Sequence, residues 1–215
     1  MRGAYVIAAA VMAAAAFVAY RRGEGEALEW PELEIPDVAQ EAAQEAAQVI
    51  DQFTGGSMKL SAMSRVTAAD VNNQNVRAFL RVIRRGEGTM DEAGYRRMFG
   101  GELFSSFADH PRKVIRKNGY ASSAAGAYQA LTSTWDETRS IMGLRDFSPT
   151  SQDWFAVGRI AARGALADVI AGRFAVALSK CAREWASLPG SPYGQPVISM
   201  ATAASVYASA GGETV

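Results

Sequence analysis

The sequence predicts a mainly α, α+β protein. We expect a compact helical domain with a small loop-and-hairpin lobe, preceded by an apolar N-terminal helix and an acidic helical stalk. Three observations predict this. After Asn72, apolar residues recur at i, i+3, i+4 spacing in successive stretches, the period of a helix with one buried face. Gly or Pro marks an end of most of those stretches. The first seventy residues have a different texture, an uncharged run followed by an acidic one. The divisions are 1–22 for a membrane or signal-anchor segment, 23–70 for linker and stalk, 71–196 for the globular domain, and 197–215 for an Ala/Ser-rich helix and tail.

Gly3–Tyr20 carries no charge, and at 1.5 Å per residue it spans about 27 Å, enough for a hydrocarbon core. It reads as a transmembrane anchor, as a cleaved signal peptide with Ala14 and Ala16 before the cut, or as a releasable signal-anchor. The anchor is preferred, with the remainder outside the cytoplasm. Gly23–Pro36 is a linker. Asp37 can then cap a helix, with Gln40 as its capping-box partner, that runs through AQEAAQEAAQVIDQF to Gly55–Gly56. This stalk can self-associate or meet other proteins.

The globular part begins with Asn75–Gly88, NVRAFLRVIRRGEG. Val76, Phe79, Leu80 and Ile83 make one apolar stripe, and Glu87 continues it four residues beyond Ile83. Gly88 can close the helix in a left-handed conformation. Glu87–Lys113 reads as loops with a short pair of strands near Tyr95–Phe104. Ala127–Met142 is a helix closed by Gly143. Ser148 caps the next, with Pro149 at its first position, and that helix ends near Gly164. Leu166–Ala171 is a short helical piece. Arg173–Leu188 is a long core helix stopped by Pro189, and Val197–Ala210 is a last helical stretch.

Composition narrows the chemistry. From Glu24 to Gln52 there are nine acidic residues and no Lys or Arg; from Phe53 onward 19 basic residues face 13 acidic ones. A basic globular part suits an anionic polymer: nucleic acid, acidic lipid or peptidoglycan. No nucleic-acid-binding module is recognisable, so nucleic acid is not an expected partner. One cysteine and one histidine exclude an intrachain disulfide and a His-rich zinc site. Cys181 falls on the stripe Phe174, Leu178, Cys181, Trp185, Leu188 and belongs to the core. His110, in the loop sequence DHPR, is the one base available to a Ser/His/Asp triad. No metal and no cofactor are expected, and any chemistry should be carboxylate chemistry. Glu87 is the leading candidate. A helix C-terminus presents the negative end of the macrodipole to it, and partial burial disfavours its charge. Both keep a proton on the acid, as an acid catalyst of glycosidic cleavage needs.

A set of short elements in fixed order adds to this reading: EGT at Glu87–Thr89, GGELF at Gly100–Phe104, DHPRK at Asp109–Lys113 and SSAAGAYQ at Ser122–Gln129. Trp135–Asp136, GLRDFSPTSQD at Gly143–Asp153, ARGAL at Ala162–Leu166, CAREWASLPG at Cys181–Gly190 and YGQ at Tyr193–Gln195 follow. From Phe79 to Gln195 the chain resembles the phage lambda endolysin family of lytic transglycosylases, which have a lysozyme-like fold. The resemblance implies cleavage of the β-1,4 bond from N-acetylmuramic acid to N-acetylglucosamine in peptidoglycan, leaving 1,6-anhydro ends. It implies that Glu87 is the catalytic acid, and that Tyr128, Gln129, Tyr193 and Gln195 bind substrate, with Ser123 and Phe104 as secondary candidates. For the tyrosines, core packing with a satisfied hydroxyl is the competing expectation. Asp91, Glu102, Asp109 and Asp136 are the carboxylates that could instead position a water for an inverting hydrolase. Three departures are visible: a shorter stretch between Thr89 and Gly100, Gly86 where the family has a serine before the glutamate, and Ala127 where it has an arginine. No orienting hydroxyl is therefore expected at position 86, and no arginine contact to substrate at position 127. The expected role is wall opening, at lysis or from the virion at infection, with a catalytically inactive glycan-binding virion protein as the alternative.

Overall fold

The computed structural model describes residues 60–117 and 120–215. The anchor and stalk expectations fall on residues that lie outside this range. The described chain divides into a helical unit, residues 60–113 with 123–215, and a second unit that contains Val114–Ser122.

The helical unit opens with a 3-10 turn, Leu60–Arg65, whose Met63 is fully buried. Helix α1 is Ala68–Asn72, closed at its start by a reciprocal capping box between Thr67 and Asp70. Helix α2 is Gln74–Gly86, capped by the Asn73 side chain, which accepts from the N–H groups of Asn75 and Val76. Val76, Phe79, Leu80 and Ile83 are buried as their spacing predicts, while Arg77, Arg81 and Arg85 face outward. Helices α3 (Thr132–Met142), α4 (Pro149–Ala162), α5 (Leu166–Ile170), α6 (Phe174–Cys181) and α7 (Met200–Ser209) complete the unit. α2 packs on α4, α5 and α7, and α4 packs on α3 and on the Leu60–Arg65 turn. At Gly158 α4 faces the Met142 side chain of α3, which occupies the space a Cβ would take.

Several elements differ from the sequence expectation, each for a visible reason. The segment 127–131 is not helical: Gly126 (φ 78°) and Gln129 (φ 47°) turn the chain, and Ala125 pairs with Ala130 across that turn. α3 therefore starts at Thr132 and ends, as expected, at a left-handed Gly143. The expected helix Arg173–Leu188 stops at Cys181, because residues beyond it turn to meet distant partners. Glu184 reaches Arg159 and Arg163, Trp185 Nε1 donates to Tyr128 O, and Ser187 donates to Glu87. The C-terminal helix packs on the helical unit. Tyr207 and Ala203 are buried, and the Tyr207 ring lies 4.6 Å from that of Phe174, which in turn meets Phe79 at 6.0 Å. Residues 60–65 belong to this unit as well.

Residues 92–104 hold two 3-10 turns and two isolated bridges, Arg97 with Leu103 and Met98 with Ala125, rather than a pair of strands. The strands β1 (Ile115–Lys117) and β2 (Tyr120–Ser122) lie in the second unit. They pair antiparallel with Ile115 opposite Ser122 and Lys117 opposite Tyr120. The intervening Asn118–Gly119 is the strongest short-range hairpin signal a sequence carries, and it went unread beside the aromatic-rich stretch upstream.

Candidate active site

The end of α2 builds the site. Glu87 is its C-cap residue, with N–H donating to Ile83 O at 2.9 Å. Gly88 takes φ 69°, and Thr89 N–H returns to Arg84 O at 2.9 Å. That six-to-one bond is the closure a left-handed glycine permits. Thr89 is fully buried and fastens the turn. Its Oγ1 donates to Ala127 O at 2.6 Å, and its carbonyl accepts from Arg84 Nε and Nη2. The Arg84 guanidinium also lies 4.4 Å over the Tyr95 ring and donates to Asp91 O. Glu87 therefore sits on a rigid turn tied to the Gly126–Gln129 loop. A third segment meets both: Trp185 Nε1 donates to Tyr128 O at 3.2 Å, and two residues later Ser187 Oγ donates to Glu87 Oε1 at 2.6 Å.

Glu87 is deep yet reachable, with part of its surface open to solvent. Burial pushes its pKa up from 4.5 to about 7, and the Ser187 hydrogen bond pulls the other way. Among the described residues no cation pairs with Glu87. Desolvation thus dominates, and the group keeps its proton near neutrality. The sequence argument foresaw burial but not Ser187, one hundred residues away in the chain.

The other predicted residues separate into two sets. Tyr128 is buried, and its hydroxyl donates to Asp153 Oδ1 at 2.6 Å alongside Tyr95, which donates to the same oxygen at 2.9 Å. Burial, followed by the neighbouring Asp153 charge, raises the Tyr128 phenol well above 10. Its ring is covered and its hydroxyl is committed to Asp153, so in this structure Tyr128 supports the loop. It lines a depression of about 420 Å³ with Arg77, Arg81, Asp153 and Trp154, and Glu87 is not part of that lining. Phe104 packs edge-on against Phe107 and tilted on Phe147, and Ser123 Oγ, also buried, accepts from Thr132 N. These two serve the core. Gln129 is partly exposed in a left-handed conformation rare outside glycine. Its Nε2 donates to Arg97 O and Gly126 O, which leaves Oε1 without a partner among the described residues. Tyr193 is partly exposed with its hydroxyl on Arg183 O at 2.9 Å, and Gln195 is exposed. Gln129, Tyr193 and Gln195 are therefore the predicted residues with surface left to offer.

The remaining carboxylates are occupied. Asp91 pairs with Arg97, Glu102 with Lys113, and Asp136 with Arg112. Asp109 accepts from Arg112, Arg139, His110 N and Trp135 Nε1, which ties down its own loop. Hydrogen bonds, opposed by partial burial, hold Asp109 and Asp136 below the usual carboxylate range. His110 is buried, with Nδ1 accepting from Arg112 N and Nε2 2.9 Å from Ala130 O, the arrangement of a neutral ring spanning two backbone groups. Cys181 is buried, and burial pushes its thiol up. Sequence reasoning missed Gln152, which is almost fully buried. Its Oε1 accepts from Ala127 N at 2.8 Å while its Nε2 holds Tyr95 O and Phe147 O. A Cβ at position 126 would collide with the same side chain, so Gly126 is required there.

Similarity to known proteins extends over most of the described chain. The chain is 44% identical over 133 residues to the endolysin of Escherichia phage lambda, covering 59% of this chain and 84% of that one. It is 40% identical over 156 residues to the endolysin of Escherichia phage P2, covering 65% and 94%. A solved structure of bacteriophage lambda lysozyme complexed with a chitohexasaccharide superposes with a TM-score of 0.63 at 38% identity, over 66% of this chain and 97% of that one. A second lambda lysozyme structure gives 0.59 at 39% identity. The Endolysin family matches residues 77–214, reaching past the sequence resemblance into α7. Since that match spans well over half of the sequence, this chain belongs to the Endolysin family.

Proposed function

We propose that this protein is a lytic transglycosylase that opens peptidoglycan by cleaving the β-1,4 bond between N-acetylmuramic acid and N-acetylglucosamine. The observation that carries the reading is Glu87 itself. It is a buried, reachable carboxyl that pairs with no cation among the described residues, raised to about 7, on a turn locked by Thr89. Membership of the Endolysin family and a lambda lysozyme neighbour complexed with a chitohexasaccharide support a glycan substrate. In the reaction, protonated Glu87 donates to the glycosidic oxygen as the bond to the anomeric carbon breaks. The resulting carboxylate takes the proton from the sugar's C6 hydroxyl as that oxygen bonds to the anomeric carbon. Glu87 ends protonated, and the product carries a 1,6-anhydro ring. No water is consumed and no second carboxylate is required. The ion pairing of Asp91, Glu102, Asp109 and Asp136 favours this over an inverting hydrolase. Gln129, Tyr193 and Gln195 hold the glycan. The uncharged run Gly3–Tyr20 exports or tethers the enzyme so that it works on the wall from outside the cytoplasm, at lysis or from the virion.

Mass spectrometry of the sugars released from purified peptidoglycan tests the reaction. Muropeptides lighter by one water than hydrolytic products support it, and hydrated reducing ends refute it. Glu87→Gln should lose cleavage while retaining glycan binding; cleavage at the wild-type rate removes Glu87 from the mechanism.

A further inference from the structure

Gly86 is helical and has no positive φ, so nothing in its backbone calls for glycine. The requirement is space. A Cβ at position 86 would stand 2.5 Å from Ser187 Oγ and 3.1 Å from Ser187 Cβ. Ser187 comes this close because its hydroxyl donates to Glu87 Oε1 at 2.6 Å, the one hydrogen bond its side chain makes among the described residues. Its backbone is pinned independently, since Ser187 O accepts from Ile198 N at 2.9 Å and the neighbouring Leu188 is fully buried. From these contacts we infer that Ser187 is the positioning residue for the catalytic acid, and that Gly86 is the vacancy that admits it.

The inference deepens the transglycosylase reading and rests on it. A hydroxyl donating to Oε1 makes that oxygen an acceptor in both protonation states. The transferable proton is thereby confined to Oε2, which both delivers it and later recovers it. The same bond stabilises the carboxylate after the first transfer, when Glu87 must act as a base. An ideal Cβ at position 86 points at the place Ser187 Oγ occupies. A serine at position 86 would compete with Ser187 for the space beside Glu87 in this chain.

The test is the pH dependence of kcat/KM for peptidoglycan cleavage by the full chain as wild type, S187A, G86S and G86S/S187A. S187A should lower kcat about tenfold. It should move the alkaline limb upward by about one pH unit, because a bond that favours the charged form is gone. G86S alone should impair activity by displacing Ser187. The double variant should recover activity and bring the limb back toward wild type, since the hydroxyl returns from position 86. An unmoved limb in S187A, or a double variant no better than the product of the two single losses, overturns the inference. Should G86S not fold, the S187A profile alone decides. Glu87→Gln serves as the control: retained cleavage there sinks the reading of Glu87, whereas a dead Glu87→Gln with an unmoved S187A profile sinks only the role of Ser187.

Discussion

Glu87 and Glu184 are the same residue type, both deep in one helical unit, yet they are prepared for opposite states. Burial raises both. Around Glu184 the Arg159 and Arg163 guanidiniums, at 2.6 and 2.8 Å, overcome that effect and hold it below the usual carboxylate range. Among the described residues Glu87 meets one neutral hydroxyl and no cation, so desolvation wins and the proton stays on to about pH 7. Depth alone therefore does not make an acid catalyst. What does is depth without a compensating cation, together with a route to solvent that Glu87 keeps.

The comparison can be broken most directly at Glu87. Glu87→Gln should reduce glycan cleavage by about 10³-fold, the size expected for loss of a general acid. Its thermal stability should rise above pH 7. The sign follows from linkage. Below pH 4.5 both folded and unfolded Glu87 are protonated and the group has no effect. Between 4.5 and about 7 only the unfolded chain releases the proton, so wild-type stability falls with rising pH. The accumulated cost, on the order of 3 kcal/mol, is what the glutamine removes, and denaturant titration at pH 4 and pH 8 measures it.

At Glu184 the sign reverses, because the ionised form is the stabilised one and its contribution is lost as pH falls below about 4.5. Arg159→Met should lower stability by about 3–5 kcal/mol at pH 7, since it leaves a buried charge short of a partner; chemical denaturation checks this. A smaller effect separates the two expectations for Tyr128. Tyr128→Phe should cost about 1–2 kcal/mol through the lost bond to Asp153 while KM for glycan stays within about twofold; a large rise in KM would return Tyr128 to the substrate. Smallest of all, Lys113→Gln removes an exposed pair with Glu102 and should change stability by less than about 1 kcal/mol.

Legibility in the sequence followed the range of the forces. The α2 helix, its buried stripe and the placement of Glu87 at its end were readable because they depend on spacing within fourteen residues. So were the caps at Ser148 and Gly143. The Arg173–Leu188 helix was overread because its apolar residues keep a helical period through Leu188. Turns beyond Cys181 can carry the same period, and what bends the chain is a set of polar bonds to residues 20 to 100 positions away in sequence. For the same reason Ser187 was invisible. Nothing in ASLPG announces that its hydroxyl ends on Glu87, and Gly86 read as a missing serine rather than as room made for another. Tyr128 shows the converse limit. Its Gly-x-Tyr-Gln context matches the family, but only the structure reveals a hydroxyl already given to Asp153.

The central claim is that two glutamates of similar depth differ in charge state because one lacks a cation. A carbon-13 NMR titration of the glutamate side-chain carboxyls, with Glu87→Gln and Glu184→Gln assigning the two signals, measures it directly. The account predicts a midpoint near 7 for Glu87 and one below 4.5 for Glu184. Two overlapping midpoints near 4.5 would contradict it.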